Sequence, residues 1–238
     1  MNNKRAYYYP IPAYLIMLLM VWVWAFFADV VQLLFGGASP TSSLTSAEGV
    51  RWALRTALPS INALPWGETM MLVAIYGLLR GSGLAKAMLR IGGLHRPTAT
   101  ELRALLFSFV VAICYIAVLY MSAVAPWRIL AGVTDEVALS PLAQGWGLLL
   151  FVGVLLVSLI YGFIYGNYSS MMDVVVSTGR TFVLFVPAMM ALVPASGIVP
   201  CMQYIGLKSI FSVSLEVVTA ILYMLPFVYI MLLEMNEQ

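Results

Sequence analysis

Apolar runs long enough to cross a bilayer recur along this chain, at 14–35, 64–79, 104–123, 142–165, 181–199 and 210–233. A helix needs about 20 mostly apolar residues to span the roughly 30 Å hydrocarbon layer, and each run meets or approaches that length. Lipid offers no water to backbone N–H and C=O groups, so each segment must satisfy them internally, as a helix. The expected fold class is all-α: a polytopic membrane protein of about six transmembrane helices plus short interfacial helices, in one integral membrane domain over 1–238.

Of the 238 residues 63% are hydrophobic and 9% charged, too few charges to clothe a soluble domain of this size. Six spans use nearly the whole chain, so catalytic machinery would have to lie between helices. The residues offer none. There is no Gly-rich phosphate loop, no Ser-His-Asp set and no metal-spaced carboxylate cluster, and His95 is the single histidine. Cys114 and Cys201 lack CxxC spacing and read as small packing residues. No enzyme, cofactor or metal is expected, and no basic surface invites nucleic acid.

Charge distribution sets the expected orientation. With six spans, Lys4, Arg5, Arg80, Lys86, Arg90, Arg96, Arg103 and Arg180 share one side, against Arg51, Arg55, Arg128 and Lys208 on the other. The positive-inside rule then makes the first side cytoplasmic, with both termini inside. The first run exceeds a signal-peptide core and lacks an A-x-A-like site, so an uncleaved first helix is expected.

Between the spans, Tyr7, Tyr8 and Tyr9 suit the headgroup layer. Residues 38–47 read as a loop, and 48–58 as a short interfacial helix broken from the second span by Pro59 and Pro65. Gly81-Ser82-Gly83 ends that span, and 84–91 has the spacing of a surface amphipathic helix. Thr98 with Glu101 three residues on is a helix-start pattern. Ser158, Gly162 and Gly166 form a small-residue stripe, suited to close backbone packing either within the chain or between chains.

Ionisable groups inside spans default to functional hypotheses. Asp29 lies within the first run, Glu68 opens the second, and Glu216 lies about two turns into the sixth. Each reads either as a proton or cation site with a carboxyl raised by desolvation, or as a structural group near an interface or polar neighbour. Pro194, Gly197 and Pro200 mark a candidate helix break, as transport sites require. The mate such a break needs is replaced by the plain apolar run 107–121.

Three early pieces, Glu48-Gly49-Val50-Arg51-Trp52, Ala63-Leu64-Pro65-Trp66-Gly67 and Gly77-Leu78-Leu79-Arg80-Gly81-Ser82-Gly83-Leu84, resemble the start of the aminobenzoyl-glutamate transporter (AbgT) family, as does Pro10-Ile11-Pro12. A later block is similar to a second family segment. It runs from Leu139-Ser140-Pro141-Leu142 through Leu159-Ile160-Tyr161-Gly162 to Gly166-Asn167-Tyr168-Ser169-Ser170-Met171-Met172-Asp173-Val174-Val175. Together they cover about half of the chain. The resemblance implies a dimeric, inverted-repeat frame that moves aminobenzoyl-glutamate-like anions by cation coupling, with substrate held at two re-entrant hairpins. The stretches where those hairpins belong, between Arg103 and Ser140 and after the fifth span, lack their polar signatures, so no substrate residue carries over.

The expected function is that of a shortened family-like protein of the bacterial inner membrane, a transport-incompetent scaffold or anchor subunit. Its partners would be the lipid bilayer and other membrane subunits or itself. The alternative is a small cation-coupled transporter working as a homo-oligomer, with Asp29, Glu216 and the 194–200 break rebuilding a site between copies.

Overall fold

A computed structural model describes residues 3–35, 44–92, 98–124, 145–205 and 214–236. Their regular structure is entirely helical: a 3₁₀ turn Asn3–Tyr8, then α1 Pro10–Phe35, α2 Ala47–Asn62, α3 Trp66–Ser82, α4 Leu84–Gly92, α5 Ala99–Val124, α6 Trp146–Tyr165, α7 Met171–Tyr204 and α8 Leu215–Asn236. Five helical segments, in α1, α5, α6, α7 and α8, are long and apolar enough to cross a membrane. The protein is an all-α polytopic membrane protein. The second expected span is the exception, because α3 has 17 residues and qualifies only jointly with α4, from which it is bent by 69°.

Local chemistry places the ends. Ser46 caps α2, its hydroxyl accepting from the Gly49 N–H at 3.0 Å. This helix was expected to stop before Pro59 but continues to Asn62. A proline removes one backbone donor, and the last turn closes regardless, with Ala63 N–H donating to the Pro59 carbonyl at 2.9 Å. Gly83, at φ +81°, makes the elbow from α3 to α4, a left-handed conformation only glycine adopts cheaply. At the start of α5, Thr98 Oγ1 accepts from Glu101 N–H at 3.3 Å while a Glu101 carboxylate oxygen lies 3.4 Å from Thr98 N–H, a reciprocal capping box.

Two expectations for the C-terminal third are corrected. The candidate break at Pro194, Gly197 and Pro200 is absent: α7 stays helical for 34 residues through Pro187, Pro194 and Pro200. Unwinding would strand polar backbone in apolar surroundings, whereas a proline forfeits only single bonds that neighbours can relieve. Ala188, Ala191 and Ala195 are buried along this stretch, and the Ser196 hydroxyl turns back to the Val193 carbonyl at 2.7 Å. Glu216 stands in the first turn of α8, exposed, rather than two turns inside a span, because the helix begins at Leu215.

The chain divides into two compact units. One comprises Met1–Pro65 with Leu184–Gln238. Its core joins Tyr14 of α1, Ala191, Ala195, Ile198 and Val199 of α7, and Leu222 of α8. The Tyr14 hydroxyl donates to the Leu222 carbonyl at 2.6 Å, and Tyr229 reaches Ala6 O at 3.3 Å. Trp52 of α2 stacks on Tyr204 of α7 with ring centroids 4.2 Å apart. The other unit, Trp66–Val183, has α6 packed against both α3 and α5. Tyr115 of α5 ties to the Leu149 carbonyl of α6 at 2.7 Å, and Leu84, Ala87, Ala104 and Tyr161 form a buried cluster beside it.

Candidate functional site

In the unit Trp66–Val183, polar side chains converge where the α6–α7 connection folds against α3. Gly166 ends α6 at φ +90°, and the N–H groups of Gly166 and Tyr168 both return to the Gly162 carbonyl, at 3.0 and 3.1 Å. That reversal drops the Tyr168 ring onto Gly162, where an added Cβ would run into the ring carbons. Tyr168 is buried and its hydroxyl lies 3.4 Å from the Leu78 carbonyl and 3.4 Å from Ser177 Oγ. Burial pushes its phenol above the ordinary tyrosine pKa of 10.0, partly opposed by the Ser177 contact. Asn167 Nδ2 donates to the Ser82 carbonyl at 2.6 Å, at the elbow itself. On α3, Gly77 and Gly81 let α7 approach: a Cβ at Gly81 would lie 2.6 Å from both Ser177 Oγ and the Tyr168 hydroxyl.

The start of α7 is fastened by Asp173, whose Oδ2 accepts from Ser169 N–H, Ser169 Oγ and Ser170 N–H at 2.9, 2.6 and 2.9 Å. Beside the elbow, Glu101 is 4% exposed, held in its capping box and 3.6 Å from the Arg90 guanidinium. Asn167 and Tyr168 tie the connection to α3, while Asp173 and Glu101 cap the starts of their own helices. Hydroxyls, an amide and paired charges make up these contacts. Among the described residues no group of three His, Cys, Asp or Glu side chains could hold a metal ion.

The residues singled out from sequence lie on different elements. Glu68 is exposed in the first turn of α3 and Glu216 in the first turn of α8. Asp29 lies on α1, and its side chain falls outside the described residues. Ser158 and Gly162 are buried inside their own unit, whereas Gly166 is exposed with open space at its Cβ position and serves as the helix stop. Gly166 is therefore corrected from packing residue to C-cap, since the left-handed turn lifts it off the stripe. The buried carboxylates among the described residues are Glu101 and Glu234, at 4% and 7% exposure. Sequence reasoning marks Glu101 as a cap but not its burial, and it reveals neither the contacts of Asn167 and Tyr168 with α3 nor Ser177. The signal available was Ser170-Met171-Met172-Asp173, a helix-start pattern that marks the loop before it as a built turn.

The stretches 77–84 and 166–175 meet here, Leu78 and Ser82 receiving Tyr168 and Asn167 across 90 and 85 residues of sequence. Comparison with protein-family models, curated proteins and solved structures finds no match to this chain.

Proposed function

We propose that this chain is a scaffold or anchor subunit of a larger assembly in the bacterial inner membrane, built on a frame like that of the aminobenzoyl-glutamate transporters but without their transport core. The observation that carries the reading is the unbroken α7. A midplane substrate site needs discontinuous helices with free backbone groups facing it. Here the stretch best suited to unwinding, around Pro194–Pro200, is helical, and its Ala195, Ile198 and Val199 are packed against Tyr14 and Leu222. Glu68 and Glu216 stand exposed at helix starts, and the polar junction spends its donors on internal locks. The Lys/Arg distribution supports a cytoplasmic location for both termini.

The test is flux. The purified chain in proteoliposomes, under sodium or proton gradients, is expected to take up no more radiolabelled aminobenzoyl-glutamate than empty vesicles. Gradient-dependent uptake that Glu216→Gln abolishes at normal protein levels would establish the transporter instead.

A further inference from the structure

In the first unit, α1, α2 and α7 enclose an apolar crevice of about 250 Å³. Its walls include Leu18 and Trp22 from α1, Trp52 and Ala53 from α2, and Gly197 and Pro200 from α7. Water has almost nothing to bond there. An apolar cavity of roughly 150 Å³ stays dry and takes benzene, so this larger one suits a section of hydrocarbon chain. Gly197 keeps it open: a Cβ there would meet only Leu18 Cδ1, at an ordinary 3.6 Å, so a longer side chain has room to grow into the space.

The helix roofing the crevice identifies the occupant. Between Val50 and Ala57 of α2, every residue but Arg51 and Arg55 lines the crevice. Arg51 and Arg55, one turn apart, fall on the opposite side, and both are exposed. Neither is ion-paired among the described residues, and with Glu48 the helix carries net positive charge. Leu54 and Leu58 are each 71% exposed, so the helix also needs an apolar solvent along its flank. An amphipathic helix with these features lies in the bilayer interface, its apolar face toward the acyl chains and its arginines reaching the phosphates. Long arginine side chains on such a helix run their stems along apolar surface and carry their charged heads to headgroup depth.

We propose that the crevice under α2 is a binding site for one acyl chain of an anionic phospholipid, whose phosphate is met by Arg51 and Arg55. This holds independently of whether the chain scaffolds or transports.

Native mass spectrometry of the purified chain, titrated with dioleoyl-phosphatidylglycerol and with dioleoyl-phosphatidylcholine, tests it. The intact chain is expected to retain phosphatidylglycerol roughly tenfold more tightly than phosphatidylcholine. The double variant Arg51→Gln/Arg55→Gln should lose that preference while still binding phosphatidylcholine. Gly197→Leu, filling the crevice, should lose retention of both lipids with an unchanged melting temperature. If that variant does not accumulate, Ala53→Phe on the facing wall is read the same way. Equal retention of the two lipids by the intact chain, an unchanged preference in the arginine variant, or unchanged retention in the filled variants would overturn the proposal.

Discussion

Gly162 and Tyr168 account for each other: the ring occupies the space that a side chain on the glycine would need. Forcing a methyl group into such a packed contact costs about 1–3 kcal/mol. Gly162→Ala is therefore expected to lower the melting temperature in detergent, and Tyr168→Ala in the same chain should relieve part of the loss, since contacting residues couple. Strictly additive losses would mean the two do not share that space. Thr98→Ala removes one arm of the capping box and should cost about 1 kcal/mol; an unchanged melt would show that Glu101 is held by Arg90 and burial alone. These two sites also differ in how far sequence reveals them. The capping box is local, spacing Thr98 and Glu101 three apart, and is readable directly. The Tyr168–Leu78 contact joins residues 90 apart, and nothing in either segment alone points to the other.

Among elements, helix existence was legible and helix interruption was not. Hydropathy located five of the six expected spans because lipid imposes one solution on any long apolar run, and it missed only that α3 is too short without α4. Proline predicts a break at Pro59 and at Pro194–Pro200, yet α2 and α7 continue through both. A proline lowers helix propensity by removing one donor and crowding a carbonyl, but small buried neighbours such as Ala191 and Ala195 leave room for the distortion. Glu216 was misplaced for a related reason, as the apolar run extends further toward the N-terminus than the helix that starts at Leu215. If α7 owes nothing functional to its prolines, Pro194→Ala should fold normally and melt at or above the wild-type temperature. A folded variant selectively deficient in a substrate-dependent activity would restore the hinge reading. Gly83→Ala behaves oppositely: φ +81° costs a non-glycine residue about 1–2 kcal/mol, and its Cβ would press on Asn167 Nδ2, so the elbow should loosen. Faster proteolysis or hydrogen exchange across Leu84–Gly92 would register it; protection equal to wild type would contradict it.

At the scale of the whole chain, the described residues form two helical units, each with a side chain that ties one helix to another, Tyr14 to Leu222 in one and Tyr115 to Leu149 in the other. The span count turns on the α3–α4 pair, which crosses only if its 69° bend is accommodated within one span. Tags at the two termini are expected on the same side, the cytoplasmic one, if the pair crosses; opposite sides would leave five crossings and place α3–α4 along one face. Partnership is the central claim, and the mass of the particle that leaves the membrane tests it most directly. Solubilised in mild detergent and measured by native mass spectrometry, the chain is expected in a complex of fixed stoichiometry with another membrane protein, a complex that survives size-exclusion chromatography. A particle containing only copies of this chain, and driving gradient-dependent uptake when reconstituted, would contradict it.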